Sequence, residues 1–108
     1  MTEAEFRAMA LSLPGAVEAS HMDHPDFRVG GKIFATLRYP ARGWGMIALT
    51  PGEQSLIVQA EPDVYAPAKG AWGRGGATLV DLKAARKRSV RTALAAAWRR
   101  RAPKRGLT

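Results

Sequence analysis

The chain has 108 residues, enough for one domain with one modest core, and 46% of them are apolar, which excludes a disordered chain. It has no cysteine, which excludes disulfides, thiolate catalysis and cysteine-based zinc sites, and no apolar run approaches the roughly 20 residues of a membrane-spanning helix. The net charge of +8 is unevenly spread: residues 1–82 carry seven basic and nine acidic side chains, whereas residues 83–108 carry ten basic and no acidic ones.

The opening MTEAEFRAMALSL mixes two glutamates with one arginine, unlike a secretory signal, so a cytoplasmic protein is expected. Thr2-Glu3-Ala4-Glu5 has the spacing of a capping box. Phe6, Met9, Ala10 and Leu13 follow at helical spacing, and Pro14-Gly15 stops a helix over about residues 2–12. Short strands are predicted over Ala16–Ser20, Phe27–Val29, Ile33–Arg38 and Trp44–Leu49. Gly30-Gly31 and Tyr39-Pro40-Ala41-Arg42-Gly43 supply turns, and tight links of this kind make an antiparallel meander. Thr50-Pro51-Gly52-Glu53 is a second capping box, opening a short helix to about residue 60. Tyr65 to Gly76, rich in Gly, Ala and Pro, reads as a loop. Thr78–Leu82 reads as the last strand, and a helix from about 84 to 101 ends at Pro103. The fold is therefore α/β in composition, of the α+β kind with an antiparallel sheet, in the order α-ββββ-α-β-α. It forms a single domain over 1–108 with a basic tail at about 103–108.

On a helical wheel the last helix is amphipathic. Leu82, Ser89, Val90, Ala93, Leu94, Ala96 and Ala97 share one side, while Lys87, Arg88, Arg91 and Arg99 share the other. A solvated face usually mixes signs, because opposite charges one turn apart support each other. A purely cationic face points to an anionic partner, nucleic acid first. The plainer alternative is a set of cations that favours the negative end of the helix dipole.

Three other stretches invite a chemical reading. His21-Met22-Asp23-His24-Pro25-Asp26 holds two histidines and two carboxylates. Pro25 makes the segment a turn, and its spacing is not that of a helical ligand pair, so a polar turn in which Asp26 pairs with Arg28 or Lys32 is favoured over a metal site. Gly70-Ala71-Trp72-Gly73-Arg74-Gly75-Gly76 follows no strand and opens no helix, so it is not a dinucleotide fingerprint. Trp72 and Arg74 could still stack on a base or contact phosphate. Around Gly30-Gly31, Phe27, Val29, Ile33, Ala35 and Leu37 alternate with Arg28, Lys32, Phe34 and Thr36. That pattern predicts one buried face carrying the first set and one open face carrying the second. No nucleophile elbow or phosphate loop is present, so neither enzyme activity nor a cofactor is expected.

Phe6-Arg7, Ser12-Leu13-Pro14-Gly15-Ala16-Val17-Glu18, His24-Pro25-Asp26-Phe27-Arg28-Val29-Gly30-Gly31-Lys32-Ile33-Phe34-Ala35, Leu49-Thr50-Pro51, Gly73-Arg74-Gly75-Gly76 and Ala97-Trp98-Arg99-Arg100-Arg101-Ala102-Pro103-Lys104-Arg105 together resemble the MmcQ/YjbR family of small bacterial proteins, over nearly the whole chain. The resemblance implies a frataxin or CyaY-like fold, an antiparallel sheet with helices on one side. It also implies DNA binding, since members carry that label by likeness to the double-wing domain of a phage transcription factor. It brings no catalytic residues. The chain departs from the family pattern before the last strand, with Gly75-Gly76 where relatives often have Gly-Trp. The frataxin likeness does not bring iron binding, because the first helix offers only Glu3 and Glu5.

The expectation is a non-enzymatic, monomeric DNA-binding protein that contacts phosphates through Arg28, Lys32, Arg74, Lys87, Arg88, Arg91, Arg99 and Lys104, with weak sequence preference and strong salt dependence. The alternative is a binding module for an acidic protein or a small anionic ligand, using the open sheet face and Trp72.

Overall fold

The computed structural model describes residues 1–104, so the part of the expected basic tail from residue 105 on lies outside the described residues. In chain order the elements are α1 (Glu3–Leu11), β1 (Val17–His21), β2 (His24–Val29), β3 (Lys32–Leu37), β4 (Trp44–Ala48), α2 (Pro51–Ala60), β5 (Tyr65–Pro67), α3 (Gly70–Arg74), β6 (Ala77–Asp81) and α4 (Lys87–Arg101). The six strands form one antiparallel sheet in the order β1-β2-β3-β4-β6-β5.

Both capping boxes form as the sequence predicts. The Glu5 amide donates to Thr2 Oγ1 at 3.0 Å while the Thr2 amide donates to Glu5 Oε1 at 2.8 Å. Thr50 and Glu53 repeat the exchange at 2.9 and 3.1 Å. Each pair satisfies two amides that the first helical turn leaves without partners.

The sheet is a partition. On one face Phe27, Ala35, Leu37, Ile47 and Val80 meet Phe6 and Ala10 of α1, Ile57 of α2, and Val90, Ala93, Leu94 and Ala97 of α4 in one apolar core. The stripe read from the wheel of α4 is the one that is buried. The other face carries a smaller cluster, Met46, Ala48, Ala68 and Ala77 with Ile33, Tyr39 and Leu79, and is otherwise polar.

Four local expectations change. The turn between β1 and β2 is Met22-Asp23, both in the left-handed region with φ of 50° and 66°, so His24 and Pro25 belong to β2. Pro25 is accommodated because β2 pairs with β3 only from Asp26 onward. In β3, Phe27 pairs with Ala35 but Arg28 pairs with Ile33, which leaves Phe34 as an extra residue in a β-bulge. The bulge reverses the alternation on its turn side: Phe34 is buried in the helix-side core, and Ile33 joins the open face. The Tyr65–Gly76 stretch is not a plain loop. β5 pairs with β6, and the single turn of α3 follows it. Finally, α4 begins at Lys87 rather than at 84.

Candidate functional site

The cationic residues named from the sequence divide between two surfaces. Arg88 and Arg99 project from α4 opposite its buried stripe, with Arg91 beside them, and all three are exposed. None makes an ion pair among the described residues. Lys87 is placed differently: its Nζ lies 2.7 Å from Glu5 Oε2 of α1. That hydrogen bond, helped by the Thr2 amide, holds the Glu5 carboxyl down to about 2. Arg74 ends α3, exposed and without an ion pair among the described residues, and Lys104 is exposed beyond the end of α4.

Arg28 lies across the molecule from the α4 ridge, on the open face; Lys32, expected beside it, pairs with Val29 of the helix-side core because the bulge reverses the alternation, and it borders the open face only from the hairpin end of the sheet. The register puts His21, His24, Asp26 and Arg28 on that face of β1 and β2, next to Thr36 of β3 and Met46 of β4. Asp26 is fully buried at 0% exposure and holds the group together. Arg28 Nε donates to Asp26 Oδ1 at 2.7 Å and Arg28 Nη2 to Oδ2 at 3.1 Å, while His21 Nδ1 lies 2.7 Å from Oδ2. The Arg28 guanidinium, with His21 adding to it, holds the Asp26 carboxyl below the usual carboxylate range against the opposing effect of burial. The same pairing raises the pKa of Arg28.

An aromatic row crosses this face. The rings of His21 and His24 are 5.9 Å apart, those of His24 and Tyr39 5.7 Å, and those of Tyr39 and Trp72 5.0 Å, the last two pairs edge to face. Trp72 comes from α3, which is tied down from behind: Gln54 of α2 donates from Nε2 to the carbonyls of Gly73 and Ala77, each at 2.9 Å.

Between these groups lies a cavity of about 390 Å³, lined by His21, Arg28, Lys32, Thr36, Trp72 and Arg101 over a floor of Ile33, Met46 and Ala48. It opens where β3 and β4 part, since their pairing stops at Ala35 and Ile47. Arg100 takes up two acceptors left there, donating from Nη2 to the carbonyls of Ala48 at 3.0 Å and Leu49 at 3.4 Å. Arg101 reaches the cavity itself. Burial, with the charge of Arg100 beside it, lowers its pKa. Its Nε is buried without a hydrogen-bond partner among the described residues, as are Thr36 Oγ1 and His24 Nδ1.

Sequence reasoning named Arg28, Lys32 and Trp72 but missed Thr36 and Arg101. The signal for Arg101 was present: it continues the stripe of Val90, Leu94 and Ala97 by one more turn, so it faces the sheet side and not the solvent ridge. Thr36 was assigned to the correct face, but nothing in the sequence distinguishes a strand threonine beside a cavity from one beside water.

No helix among the described residues is long and apolar enough to cross a membrane. No protein of curated function matches the chain. The structure is similar to the crystal structure of the Deinococcus radiodurans protein DR2400, a DUF419 domain, with a TM-score of 0.79 and 19% identity, covering 99% of this chain and 82% of that one. At that identity the likeness speaks for the fold. The family model described as YjbR matches residues 11–100, from the end of α1 to the last turn of α4 and across all six strands, and so the chain belongs to the YjbR family.

Proposed function

We propose that this protein is a non-enzymatic DNA-binding protein whose primary contact is the outer ridge of α4, laid along the phosphate backbone. The observation that carries the reading is the set Arg88, Arg91 and Arg99: three exposed guanidinium groups with no carboxylate partner among the described residues. Arg88 and Arg99 are eleven residues apart, so the ridge extends about 16 Å along the helix axis, and duplex DNA presents one negative charge per about 1.7 Å. The first turn of α4 adds support. It has no acidic residue and no side-chain cap, so Lys87 and Arg88 oppose the positive end of the helix dipole. Glu5 offsets one of these cations, and a bound phosphate would offset the other.

Arg28, on the open face, and Lys32, at the β2–β3 hairpin end, stand apart from this ridge and would be secondary contacts. The acid–base groups fit a binding protein too. His21 is held by Asp26, and neither histidine hydrogen-bonds a serine, threonine or lysine side chain among the described residues.

The test is binding of a fluorescent random-sequence duplex from about 50 to 200 mM salt, with the Arg88→Ala, Arg91→Ala, Arg99→Ala triple variant alongside. Each lost phosphate contact should flatten the log–log salt slope by about 0.9. A triple variant with the parental slope and affinity would overturn the reading.

A further inference from the structure

The open-face cavity is a second, independent site, built from different residues than the α4 ridge. Its lining combines features that a solvated polar surface does not. Lys32 and Arg101 are cations without an ion pair among the described residues, whereas Arg28 is already matched by Asp26. The site thus carries about two positive charges with no counter-charge. Thr36 is 1% exposed, and its hydroxyl meets no partner. Leaving a buried donor or acceptor unpaired is costly, so such groups are normally satisfied. Here the unpaired hydroxyl and the unpaired Arg101 Nε both belong to residues that line the same cavity, just beneath its surface, and each is a donor. Trp72, 46% exposed, stands at its edge with an indole that the Tyr39 ring fixes edge to face. The volume lies within the range of about 300–1,000 Å³ common for small-molecule sites.

The geometry points to a binding site for a small phosphorylated molecule with a planar ring, of the nucleoside monophosphate class: its phosphate held by Lys32, Arg101, the free edge of Arg28 and the Thr36 hydroxyl, its ring stacked on Trp72. A phosphomonoester carries a charge of about −1.5 to −2 at neutral pH, which matches the two unpaired cations, where a carboxylate would match only one. Its oxygens are acceptors only, and the groups that border the cavity unpaired are donors. The Asp26 carboxylate does not oppose the anion. It lies beneath the surface with both oxygens engaged, and it presents the outer edge of Arg28 to the cavity as a fixed donor.

The test is calorimetric titration of the full chain at low salt with three probes, guanosine 5′-monophosphate, inorganic phosphate and guanosine, each followed in parallel by tryptophan fluorescence. The monophosphate should bind one to one with quenching that disappears in Trp72→Phe. Inorganic phosphate should bind more weakly and compete for the same site, and guanosine alone should not bind. Lys32→Ala and Arg101→Gln should each weaken binding about tenfold or more. Thr36→Val keeps the side-chain shape and should weaken binding about fivefold. The Arg88→Ala, Arg91→Ala, Arg99→Ala variant should bind the monophosphate as the parent does, which separates this site from the DNA surface. No saturable binding of the monophosphate at about 1 mM would overturn the proposal. So would binding that Lys32→Ala and Thr36→Val leave unchanged while both variants retain the parental fold by circular dichroism. Equal affinity for phosphate and monophosphate would overturn the stacked ring.

Discussion

Asp26 and Arg28 stand two residues apart on β2, on the same face of the sheet, and join through two nitrogens of one guanidinium at 2.7 and 3.1 Å. The carboxylate is fully buried and the arginine partly exposed, so the pair bridges the floor of the open face and its surface. Removing one partner of such a pair leaves the other uncompensated. Asp26→Asn should therefore destabilise the fold by about 2 kcal/mol, less than for a wholly buried pair because water reaches Arg28. Urea unfolding at neutral pH checks this.

Acid should act through the same carboxylate. Arg28 lowers its pKa in the folded protein, so in acid the unfolded chain binds a proton there more readily than the folded one. The stabilisation is complete above the ordinary aspartate value of about 3.9 and is lost as pH falls through the folded value. The urea midpoint of the parent should fall over that window, and Asp26→Asn should fall less.

Alkali should act at Tyr65. Burial pushes its phenol up to about 12, with the charge of Glu61 adding to the rise and the hydrogen bond with Ser89 opposing it. The Ser89 hydroxyl lies 2.6 Å from the Tyr65 oxygen and donates to Glu61 at 2.7 Å. The folded value exceeds the unfolded one, so this stabilisation is full below about pH 10 and drains away as pH rises toward 12. Ultraviolet titration should show the Tyr65 phenolate forming only together with unfolding. Tyr65→Phe should move the alkaline midpoint upward, at a cost of about 1 kcal/mol at neutral pH for the lost hydrogen bond.

Gln54→Ala removes the amide that holds the carbonyls of Gly73 and Ala77. Two buried acceptors lose their side-chain partner, for a destabilisation of about 2 kcal/mol. Trp72 should become more mobile, read as a red-shifted, less anisotropic emission in a variant that retains only this tryptophan.

Gly76 has a φ of 114°, and a Cβ there would stand 1.9 Å from the Leu49 carbonyl oxygen. That neighbour is backbone and cannot turn aside. Gly76→Ala should cost about 3 kcal/mol or more, combining left-handed strain with overpacking. Thermal unfolding measures it.

What could be read from the sequence was what depends on near neighbours. Thr2 with Glu5 and Thr50 with Glu53 are pairs three residues apart, and their geometry follows from the helix itself. The stripe of Val90, Ala93, Leu94 and Ala97 follows from a repeat of 3.6. What was not legible depended on distant chain. β5 and α3 lie in a Gly- and Pro-rich stretch with little local preference for order. They are fixed by the β6 ladder, by Gln54 some twenty residues earlier, and by the close approach of Gly73 to Ala68, where a Cβ would stand 1.6 Å from the carbonyl oxygen. The bulge at Phe34 hid the true alternation of β3, because a strict period of two put Ile33 inside and Phe34 outside. Thr36 and Arg101 come together only because β3 and β4 part, which no single stretch of sequence records.

Phe34 gives the helix-side core a ring that no residue of β2 opposes. As the extra residue of the bulge it lies inward beside Ala35, while Ile33 opposes Arg28 on the open face. Deleting Phe34 would restore a regular ladder with Phe27 still opposite Ala35 and Arg28 still opposite Ile33, so Ile33 would keep its place in the cavity floor. The bulge therefore lets β3 supply the core with one more side chain than a regular strand in the same register, and the two faces of the sheet can vary independently at this point: the core can lose a ring while the open face keeps its floor.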